Sequence, residues 1–500
     1  MNSKKYILSI DQGTTGTTAL VVNQDGDVCG QGYRGVKEIY PRPGWVDQDP
    51  LEIFESCEYA ILEAFRNANV RPSECVSLGI TNQRETTLVW EKETGTPVSN
   101  AIVWECRRTS TICEELISKG LNDEICNRTG LPIDAYFSAT KLRWILDHIP
   151  EGQIRAQRGE LLFGTVDTWI IWNLTRGRNH VTDITNASRT MMLNLHTKDW
   201  DNLILDILEI PRKLLPVIQP SAGIFGDATQ GIFEESSLPI SGVIGDQQSA
   251  LFGQGCISSG SAKNTYGTGS FLLLNTGEKL TVSTEGLITI PAWEIDSEIT
   301  YALEGSIFST GAAVQWLKDG LGIIEEIEDV ETLASSVSTN GGVFVVPAFS
   351  GLGAPYWDMY ARGSIFGLTR GSNSGHISRA TLESIAFQSR DVLESMQKDF
   401  GQKIATLRVD GGGSENRLLM QMQADILGVP IERSSIIQST GLGAANMAGI
   451  SVGFWGSIEE VANRWRSDVV FEPGITIDER EDLYCKWKIA VSRASDWADE

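Results

Sequence analysis

The chain has 500 residues, which is more than one hydrophobic core normally holds, so we expect two or more domains. Hydrophobic residues make up 41% and charged residues 21% of the sequence, a balance that excludes a disordered or a collagen-like chain. The 65 acidic and 41 basic side chains give a net charge of -24, which opposes binding to nucleic acid and to anionic membranes.

The N-terminal residues favour a cytoplasmic protein. The apolar run that ends at Asp11 is too short for the core of a signal peptide, and no apolar run is long enough to cross a bilayer. We interpret residues 1–10 as the first strand. The eight cysteines include no CxxC pair, so we expect no zinc ribbon. Because no secretion signal is recognised, we expect the thiols to be reduced.

Two strand–turn–strand units rich in glycine and threonine stand far apart in the chain. The first joins residues 6–10 to residues 19–22, and a further turn follows at residues 25–27. The second unit joins residues 262–266 to residues 271–274. Such a repeat predicts two halves of similar design, and the alternative is a pair of ordinary hairpins.

Helical periodicity appears between the strands. Residues 381–396 have apolar side chains at amphipathic spacing, and residues 418–427 predict a helix that ends at Gly428. The alternation of strands and helices predicts an α/β fold. Glycine and serine are dense in residues 253–262, and we place the domain boundary there, with one domain at 1–254 and the other at 255–500.

Three glycine clusters follow strands, and the first two are candidate phosphate loops. In the first, Asp11 precedes Thr14 and Thr15, so a carboxylate that suits Mg²⁺ stands beside amides and hydroxyls that suit phosphate. The alternative is an aspartate that only caps a turn. Residues 267–269 form the second candidate phosphate loop. In the third cluster, at residues 410–413, glycine would let the backbone approach a flat ligand such as a nucleotide base. No GxxxxGK[ST] loop and no HRD or DFG triplet occurs, which argues against a Walker-type or protein-kinase site.

Charged residues at two strand ends suit a polar ligand. Gly245 and Asp246 follow the predicted strand at residues 240–244, and a carboxylate at a strand end can accept a proton from a substrate hydroxyl. Asp246 could instead cap a helix at residues 248–252. Arg84 and Glu85 follow residues 80–83 and suit a polyol, or else form a solvated ion pair.

Together these residues resemble the FGGY carbohydrate kinases, from about residue 5 to residue 455. The most specific segments are GITNQRETT at 79–87, NTYGTG at 264–269 and PAFSGLGAPYW at 347–357. Two family signatures also fit, at residues 136–144 and at residues 363–383.

The resemblance implies a two-domain actin-like ATPase fold with a ribonuclease-H-like core in each domain. It implies ATP-dependent phosphorylation of glycerol to sn-glycerol 3-phosphate, with glycerol and ATP as substrates, Mg²⁺ as cofactor and a homo-oligomer, dimer or tetramer, as the assembly. The N-terminal domain would bind the polyol and the C-terminal domain the nucleotide.

The resemblance also carries residue roles to this sequence. Asp246 would be the catalytic base, and Asp11 and Asp246 would serve Mg²⁺. The residues implied to hold glycerol are Arg84, Glu85, Trp104, Tyr136, Asp246, Gln247 and Phe271. The residues implied to contact ATP are Thr14, Thr15, Thr268, Gly311, Gln315, Gly412 and Asn416. Trp104, considered without the family, would be interpreted as core.

The sequence departs from the family pattern beside these residues. Thr18 stands where related kinases carry an arginine that helps to hold phosphate, and a neutral hydroxyl cannot supply that charge. Glu105 replaces a usual glutamine and Ala135 a usual proline. The loop at 226–239 lacks the patterns linked to regulation by a sugar bisphosphate or by a phosphocarrier protein, so we expect neither.

Three alternative functions remain at this point. A kinase for another small polyol or sugar, such as erythritol or xylulose, would use similar residues, although Arg84, Glu85, Trp104 and Phe271 favour glycerol. A chaperone or cytoskeletal ATPase of the same superfold would need an appended domain or a polymer interface. A catalytically impaired homologue kept as a sensor is suggested only by Thr18.

Overall fold

The computed structural model describes residues 5–234, 236–436 and 438–498. The chain forms two compact units, and neither is a single stretch of sequence. Unit 1 is Met1–Ile257, Thr289–Tyr301 and Ser439–Arg464, and unit 2 is Ser258–Ile288, Ala302–Gln438 and Trp465–Glu500. Residues 1–4 of the predicted first strand lie outside the described residues.

The secondary structure alternates between strands and helices, as the sequence predicts. The strands are β1 (Tyr6–Gln12), β2 (Gly16–Asn23), β3 (Val28–Gly35), β4 (Asp47–Gln48), β5 (Cys75–Asn82), β6 (Leu88–Glu91), β7 (Ala101–Ile102), β8 (Leu161–Gly164), β9 (Val181–Asp183), β10 (Leu193–Asn194), β11 (Asp199–Trp200), β12 (Val217–Gln219), β13 (Ala222–Ala228), β14 (Leu238–Gly245), β15 (Ala262–Tyr266), β16 (Ser270–Gly277), β17 (Ile288–Ile295), β18 (Glu298–Ile307), β19 (Phe344–Val346), β20 (Ser364–Phe366), β21 (Leu407–Asp410), β22 (Ile431–Ser434) and β23 (Ser467–Phe471).

The helices are α1 (Pro50–Ala68), α2 (Ser110–Ser118), α3 (Asn122–Thr129), α4 (Ser138–His148), α5 (Gly152–Arg158), α6 (Val166–Leu174), α7 (Ile184–Ser188), α8 (Asn202–Ile207), α9 (Asp246–Gly253), α10 (Gly311–Asp319), α11 (Asp329–Ser335), α12 (Ser374–Phe400), α13 (Arg417–Leu427), α14 (Ser439–Ser451), α15 (Ile458–Ala462) and α16 (Ile477–Ala494). Short 3₁₀ turns occupy Pro72–Glu74, Arg212–Leu214, Gly231–Phe233 and Gly412–Glu415. Within the described ranges, no helix is long and apolar enough to cross a membrane.

The two large sheets share one strand order over six strands, and β17 is an additional edge strand of the seven-stranded sheet. In unit 1 the order is β13-β14-β5-β1-β2-β3, with β1 antiparallel to β2 and parallel to β5. The other sheet has the order β17-β18-β16-β15-β21-β22-β23, with β15 antiparallel to β16 and parallel to β21. In each sheet, the first strand of an antiparallel hairpin (β1 of β1–β2, or β15 of β15–β16) also pairs in parallel with a later strand. This shared arrangement confirms the two halves that the glycine-rich turns predict.

Helix α14 packs closely on the sheet of unit 1 because small residues face one another there. A Cβ added to Gly79 of β5 would lie 2.2 Å from the carbonyl oxygen of Ala444, and one added to Gly242 of β14 would lie 2.4 Å from the amide of Ala448. Real Cβ atoms cannot approach backbone so closely, so glycine is required at both positions. The helix thus supports the two parallel strands whose ends carry Arg84 and Asp246.

Of the two predicted helices, one ends where the sequence indicates and the other is longer than predicted at both ends. Helix α13 stops at Leu427, followed by Gly428 in the left-handed region at φ 70°. Helix α12 runs from Ser374 to Phe400, which is longer than the predicted 381–396, because Asn373 caps its first turn and Gly401 ends it.

Candidate active site

The ends of two neighbouring parallel strands bring Arg84 and Asp246 together in unit 1. Gly245, the last residue of β14, is the register partner of Asn82, the last residue of β5. Asp246 follows Gly245 directly and Arg84 lies two residues after Asn82, and the Nε of Arg84 lies 2.9 Å from Oδ1 of Asp246. The Asp246 side chain is 26% exposed, whereas that of Arg84 is 2% exposed. The carboxylate can therefore meet a ligand while the buried guanidinium holds it in place.

Asp246 is the first residue of α9, and Gly245 is the N-cap of this helix. The prediction that Asp246 caps a helix at 248–252 is therefore wrong. Gly245 also makes room for Arg84, because a Cβ there would lie 2.8 Å from the Cδ of that side chain. Arg84 is fixed further by a 3.0 Å hydrogen bond from its Nη1 to Oε1 of Gln248. Gln247 is buried, and its Nε2 donates to Oδ2 of Asp246 at 3.2 Å.

Glu85 is buried beside Arg84 and has an unusual backbone. Its φ is 62°, in the left-handed region that a glutamate rarely adopts, and its side chain is 2% exposed. Its Oε1 accepts a hydrogen bond from the Nε of Arg189, which is fully buried. The alternative that Arg84 and Glu85 form a solvated ion pair is therefore wrong. A buried carboxylate with a buried cation on one side is suited to hydrogen-bond a hydroxyl on the other.

Two aromatic rings stand beside these charges. Trp104 and Tyr136 meet edge to face, with their ring centroids 5.6 Å apart. Tyr136 is buried, and the guanidinium of Arg189 lies 5.3 Å from its ring centroid. Nε1 of Trp104 donates to Oγ1 of Thr14 at 2.9 Å, so the aromatic residue is joined to the first glycine loop. Apolar ring edges next to paired charges suit a ligand with hydroxyls on one side and carbons on the other.

The first glycine loop lies at the same edge of the sheet. Asp11 of β1 is the register partner of Thr81 in β5, which in turn is the partner of Ile244 in β14. Adjacent strands are about 4.8 Å apart, so Asp11 and the end of β14 are separated by about 10 Å. The turn is closed by the Gly13 amide, which donates to the Gly16 carbonyl at 2.9 Å.

These carboxylates fit Mg²⁺ in the way that phosphoryl-transfer sites hold it. Among the described residues, no three His, Cys, Asp or Glu side chains gather into a metal site. Mg²⁺ in such sites is held by one or two carboxylates together with substrate phosphates and water, and it does not need a cage of protein ligands. Asp11 and Asp246, at one edge of the sheet, match that requirement.

Unit 2 contains a cavity of about 460 Å³ that suits a nucleotide. Of the residues implied to contact ATP, Gly311, Gly412 and Asn416 line it, whereas Thr268 and Gln315 do not. The Thr268 carbonyl instead accepts the Ala312 amide at 3.0 Å and so fixes the start of α10. The other lining residues are Tyr266, Gly267, Thr310, Val314, Ile327, Glu328, Val330, Glu331, Leu382, Ile385, Gly413, Glu415 and Leu419.

Glycines shape the wall of this cavity. Gly411 has φ 80°, and a Cβ there would lie 2.3 Å from the Tyr266 carbonyl oxygen, so only glycine allows the two backbones to meet. A Cβ on the neighbouring Gly412 would meet nothing within 4 Å, because this residue faces open space. Asn416 caps α13 through its Oδ1, which accepts the Leu419 amide at 2.8 Å.

Phe271 belongs to unit 2, whereas the other residues implied to hold glycerol belong to unit 1. It is in β16, opposite Thr265 of β15, and its carbonyl accepts a hydrogen bond from Nζ of Lys263 at 3.3 Å. Its place in the polyol set stays a prediction.

Sequence reasoning missed several buried polar groups behind the site. Lys141 donates through Nζ to the Tyr136 carbonyl, and burial lowers the pKa of this lysine to about 8. Arg189 supports Glu85, but nothing in the local sequence marks it. Glu105, noted only as a departure from the family, is partly buried, and burial followed by the charge of Glu38 raises its pKa to about 7.

Comparisons with known proteins agree with this architecture. The FGGY carbohydrate kinase N-terminal domain matches residues 6–253, and the C-terminal domain of the same family matches residues 262–452. A crystal structure of Plasmodium falciparum glycerol kinase with ADP superposes with a TM-score of 0.91 at 37% identity, covering 99% of both chains. Glycerol kinase 2 of Thermotoga maritima is 57% identical over 493 residues, 99% of each chain. Glycerol kinase of Caldanaerobacter subterraneus is 54% identical over 99% of this chain and 100% of that protein.

A repeated two-sheet fold with strand-end charges in one half and a glycine-walled cavity in the other is that of a carbohydrate kinase. The chain belongs to the FGGY family of carbohydrate kinases. The prediction of a two-domain actin-like ATPase fold with a ribonuclease-H-like core in each domain is confirmed.

Proposed function

We propose that this chain transfers the γ-phosphoryl group of ATP to glycerol and releases sn-glycerol 3-phosphate and ADP. The observation that carries the proposal is the contact between the buried Arg84 and the partly exposed Asp246 at adjacent strand ends. Relatives more than half identical over nearly the whole chain are named glycerol kinases, which supports the choice of substrate.

Asp246 is assigned as the catalytic base. It would accept the proton of the attacking hydroxyl as the new oxygen–phosphorus bond forms and the bond to the ADP oxygen breaks. Arg84 holds this carboxylate at 2.9 Å and orients it. Phosphoryl transfer depends mainly on positioning and on charge stabilisation, which fits a base that is held from behind by a buried cation.

The other substrate contacts follow the chemistry of glycerol. Its hydroxyls would pair with Arg84, Glu85 and Gln247, and its carbons would face rings. The aromatic part of the proposed set is Trp104, Tyr136 and Phe271. A site whose buried polar groups need hydroxyl partners rejects analogues that leave them unpaired.

The nucleotide is assigned to the glycine loops and to the cavity of unit 2. The proposed ATP contacts are Thr14, Thr15, Thr268, Gly311, Gln315, Gly412 and Asn416. Asp11 and Asp246 would hold Mg²⁺, which, when bound, neutralises charge that develops on the phosphates. We also retain in the proposal a polyol-binding domain at 1–254 and a nucleotide-binding domain at 255–500.

Two further parts of the proposal concern the location of the protein and its assembly. A kinase that uses ATP works where ATP is supplied, so a cytoplasmic location belongs to the proposal. A homo-oligomer, dimer or tetramer, rests on the family resemblance alone.

The first test compares glycerol-dependent ADP formation by the wild-type protein and by Asp246→Asn. Loss of a general base commonly lowers a rate by about 10²–10⁴. We expect kcat to fall by that order, while KM for glycerol stays within about threefold because the asparagine still presents an oxygen to Arg84. A wild-type kcat in Asp246→Asn would refute the assignment of the base.

A further inference from the structure

A fully buried polar segment, Asp183 together with α7, lies behind the two strand ends of unit 1. Every residue from Asp183 to Ser188 is at most 1% exposed. Asp183 caps α7, since its carboxylate accepts the amides of Thr185 at 3.0 Å and Asn186 at 2.9 Å. Polar groups placed so deeply are costly unless their hydrogen bonds are made, so each bond here constrains its partners strongly.

Consecutive residues of α7 bind the two strand ends. The Gly245 amide donates to Oγ1 of Thr185 at 2.8 Å, and that hydroxyl donates to the Asp183 carboxylate at 2.7 Å. The Asn186 amide group exchanges hydrogen bonds with that of Asn82, at 2.9 and 3.1 Å.

Gly245 and Asn82 are the register partners at which β14 and β5 end. Asp246 follows the first directly, and Arg84 is two residues beyond the second. The 2.9 Å contact between these charged groups therefore depends on how the strand ends are held.

The geometry points to Thr185 as a positioning residue for Asp246, acting through the Gly245 amide and held in turn by Asp183. It does not belong to the proposed substrate contacts. The inference rests on the proposed function, in which Asp246 is the base. Misplacement of a catalytic group by about 1 Å can cost about 10² in rate. Loss of the Thr185 hydroxyl should therefore lower kcat about 10- to 100-fold and leave KM for ATP within about twofold.

Thr182 provides a matched control. Its hydroxyl is as deeply buried and donates to Oδ2 of Asp167 at 2.6 Å, away from Gly245. Thr185→Val and Thr182→Val each replace one buried hydroxyl by a methyl group, so both should lower the Tm. Only Thr185→Val should lower kcat, and Thr185→Ser, which keeps the hydroxyl, should restore it. If a Val variant does not fold, Thr185→Ala and Thr182→Ala repeat the comparison.

Hydrogen exchange of the peptide that contains Gly245 gives a second readout that does not depend on turnover. Exchange should accelerate in Thr185→Val and stay at the wild-type rate in Thr182→Val. Equal loss of kcat in the two Val variants, or wild-type kcat and exchange in Thr185→Val, would overturn the inference. A wild-type protein without glycerol-dependent ADP formation would refute the proposed function instead, and the exchange data would still decide on Thr185.

Discussion

Replacing Asp167 by asparagine should change how the stability of the protein depends on pH. Asp167 lies in α6 with its carboxylate fully buried, and it accepts hydrogen bonds from Thr165 at 2.5 Å and Thr182 at 2.6 Å. Burial and the nearby charge of Asp183 raise its pKa from 3.8 to about 7. Burial raises the pKa of Asp183 as well, but two backbone amides and the hydroxyls of Thr185 and Ser221 donate to its carboxylate and oppose that rise, so we assign the proton to Asp167.

The sign and size of the effect follow from proton binding. Between about pH 4 and pH 7 the folded protein keeps the proton on Asp167, whereas the unfolded chain has released it, so stability falls as pH rises through this window. One pKa unit corresponds to about 1.4 kcal/mol, so the free energy of unfolding falls by about 4 kcal/mol over the whole window. Between pH 5 and pH 8 it falls by about 3 kcal/mol. Asparagine resembles the protonated acid and does not titrate. Between pH 5 and pH 8, the free energy of unfolding of Asp167→Asn should therefore rise by about 3 kcal/mol relative to that of wild type.

Urea unfolding of both proteins at pH 5, 6, 7 and 8, followed by circular dichroism, measures this difference. Asp206 is exposed on α8, and Asp206→Asn is the control, which should run parallel to wild type. A constant gap between Asp167→Asn and wild type across the pH range would show that Asp167 is ionised in the folded protein. The reasoning about the buried carboxylates would then be wrong.

Three other variants test particular parts of the site. Gly412→Ala adds a methyl group that touches no protein atom within 4 Å, so it should leave the Tm unchanged and raise KM for ATP several-fold; an unchanged KM would remove Gly412 from the nucleotide site. Gly245→Ala would place a Cβ 2.8 Å from the Cδ of Arg84 and displace that side chain, so KM for glycerol should rise about tenfold. Wild-type kinetics would show that glycerol binding does not depend on the position of Arg84. Thr18 is the register partner of Asp11, so Thr18→Arg would put a cation beside the phosphate loop and should raise kcat more than it lowers KM for glycerol; an unchanged or lower kcat would show that the charge is already supplied.

Local patterns were enough to predict much of the fold. The turn at residues 267–269 joins β15 and β16 as expected, and the helix at 418–427 differs from α13 by one residue at its start. Glycine, proline and the spacing of hydrophobic residues determine local structure over a few residues, so these signals can be recognised in a single sequence. The Arg84 and Asp246 strand ends were found because polar residues that follow an apolar run are also a local signal.

Longer-range features had no such signal. Strand β5 ends at Asn82 and helix α14 begins only at Ser439, yet the helix packs on the strand at Gly79, and only the structure shows which residues face this glycine. The hydrogen bond between Thr185 and Gly245 spans 60 residues, and Arg189 reaches Glu85 across 104 residues. Residues of this kind are ordinary in sequence and become informative only when burial and partners are known. The family resemblance supplied the substrate residues, but not the groups that hold them.

The most direct test of the central claim is the ranking of substrates. The protein should be assayed for ATP-dependent phosphorylation of glycerol, erythritol and xylulose at matched Mg·ATP, with identification of each phosphorylated product. The account predicts the highest kcat/KM for glycerol and sn-glycerol 3-phosphate as its product, because the Arg84, Glu85 and Asp246 side chains match a three-carbon polyol. A higher kcat/KM for xylulose or erythritol, or ADP formation that glycerol does not stimulate, would contradict it.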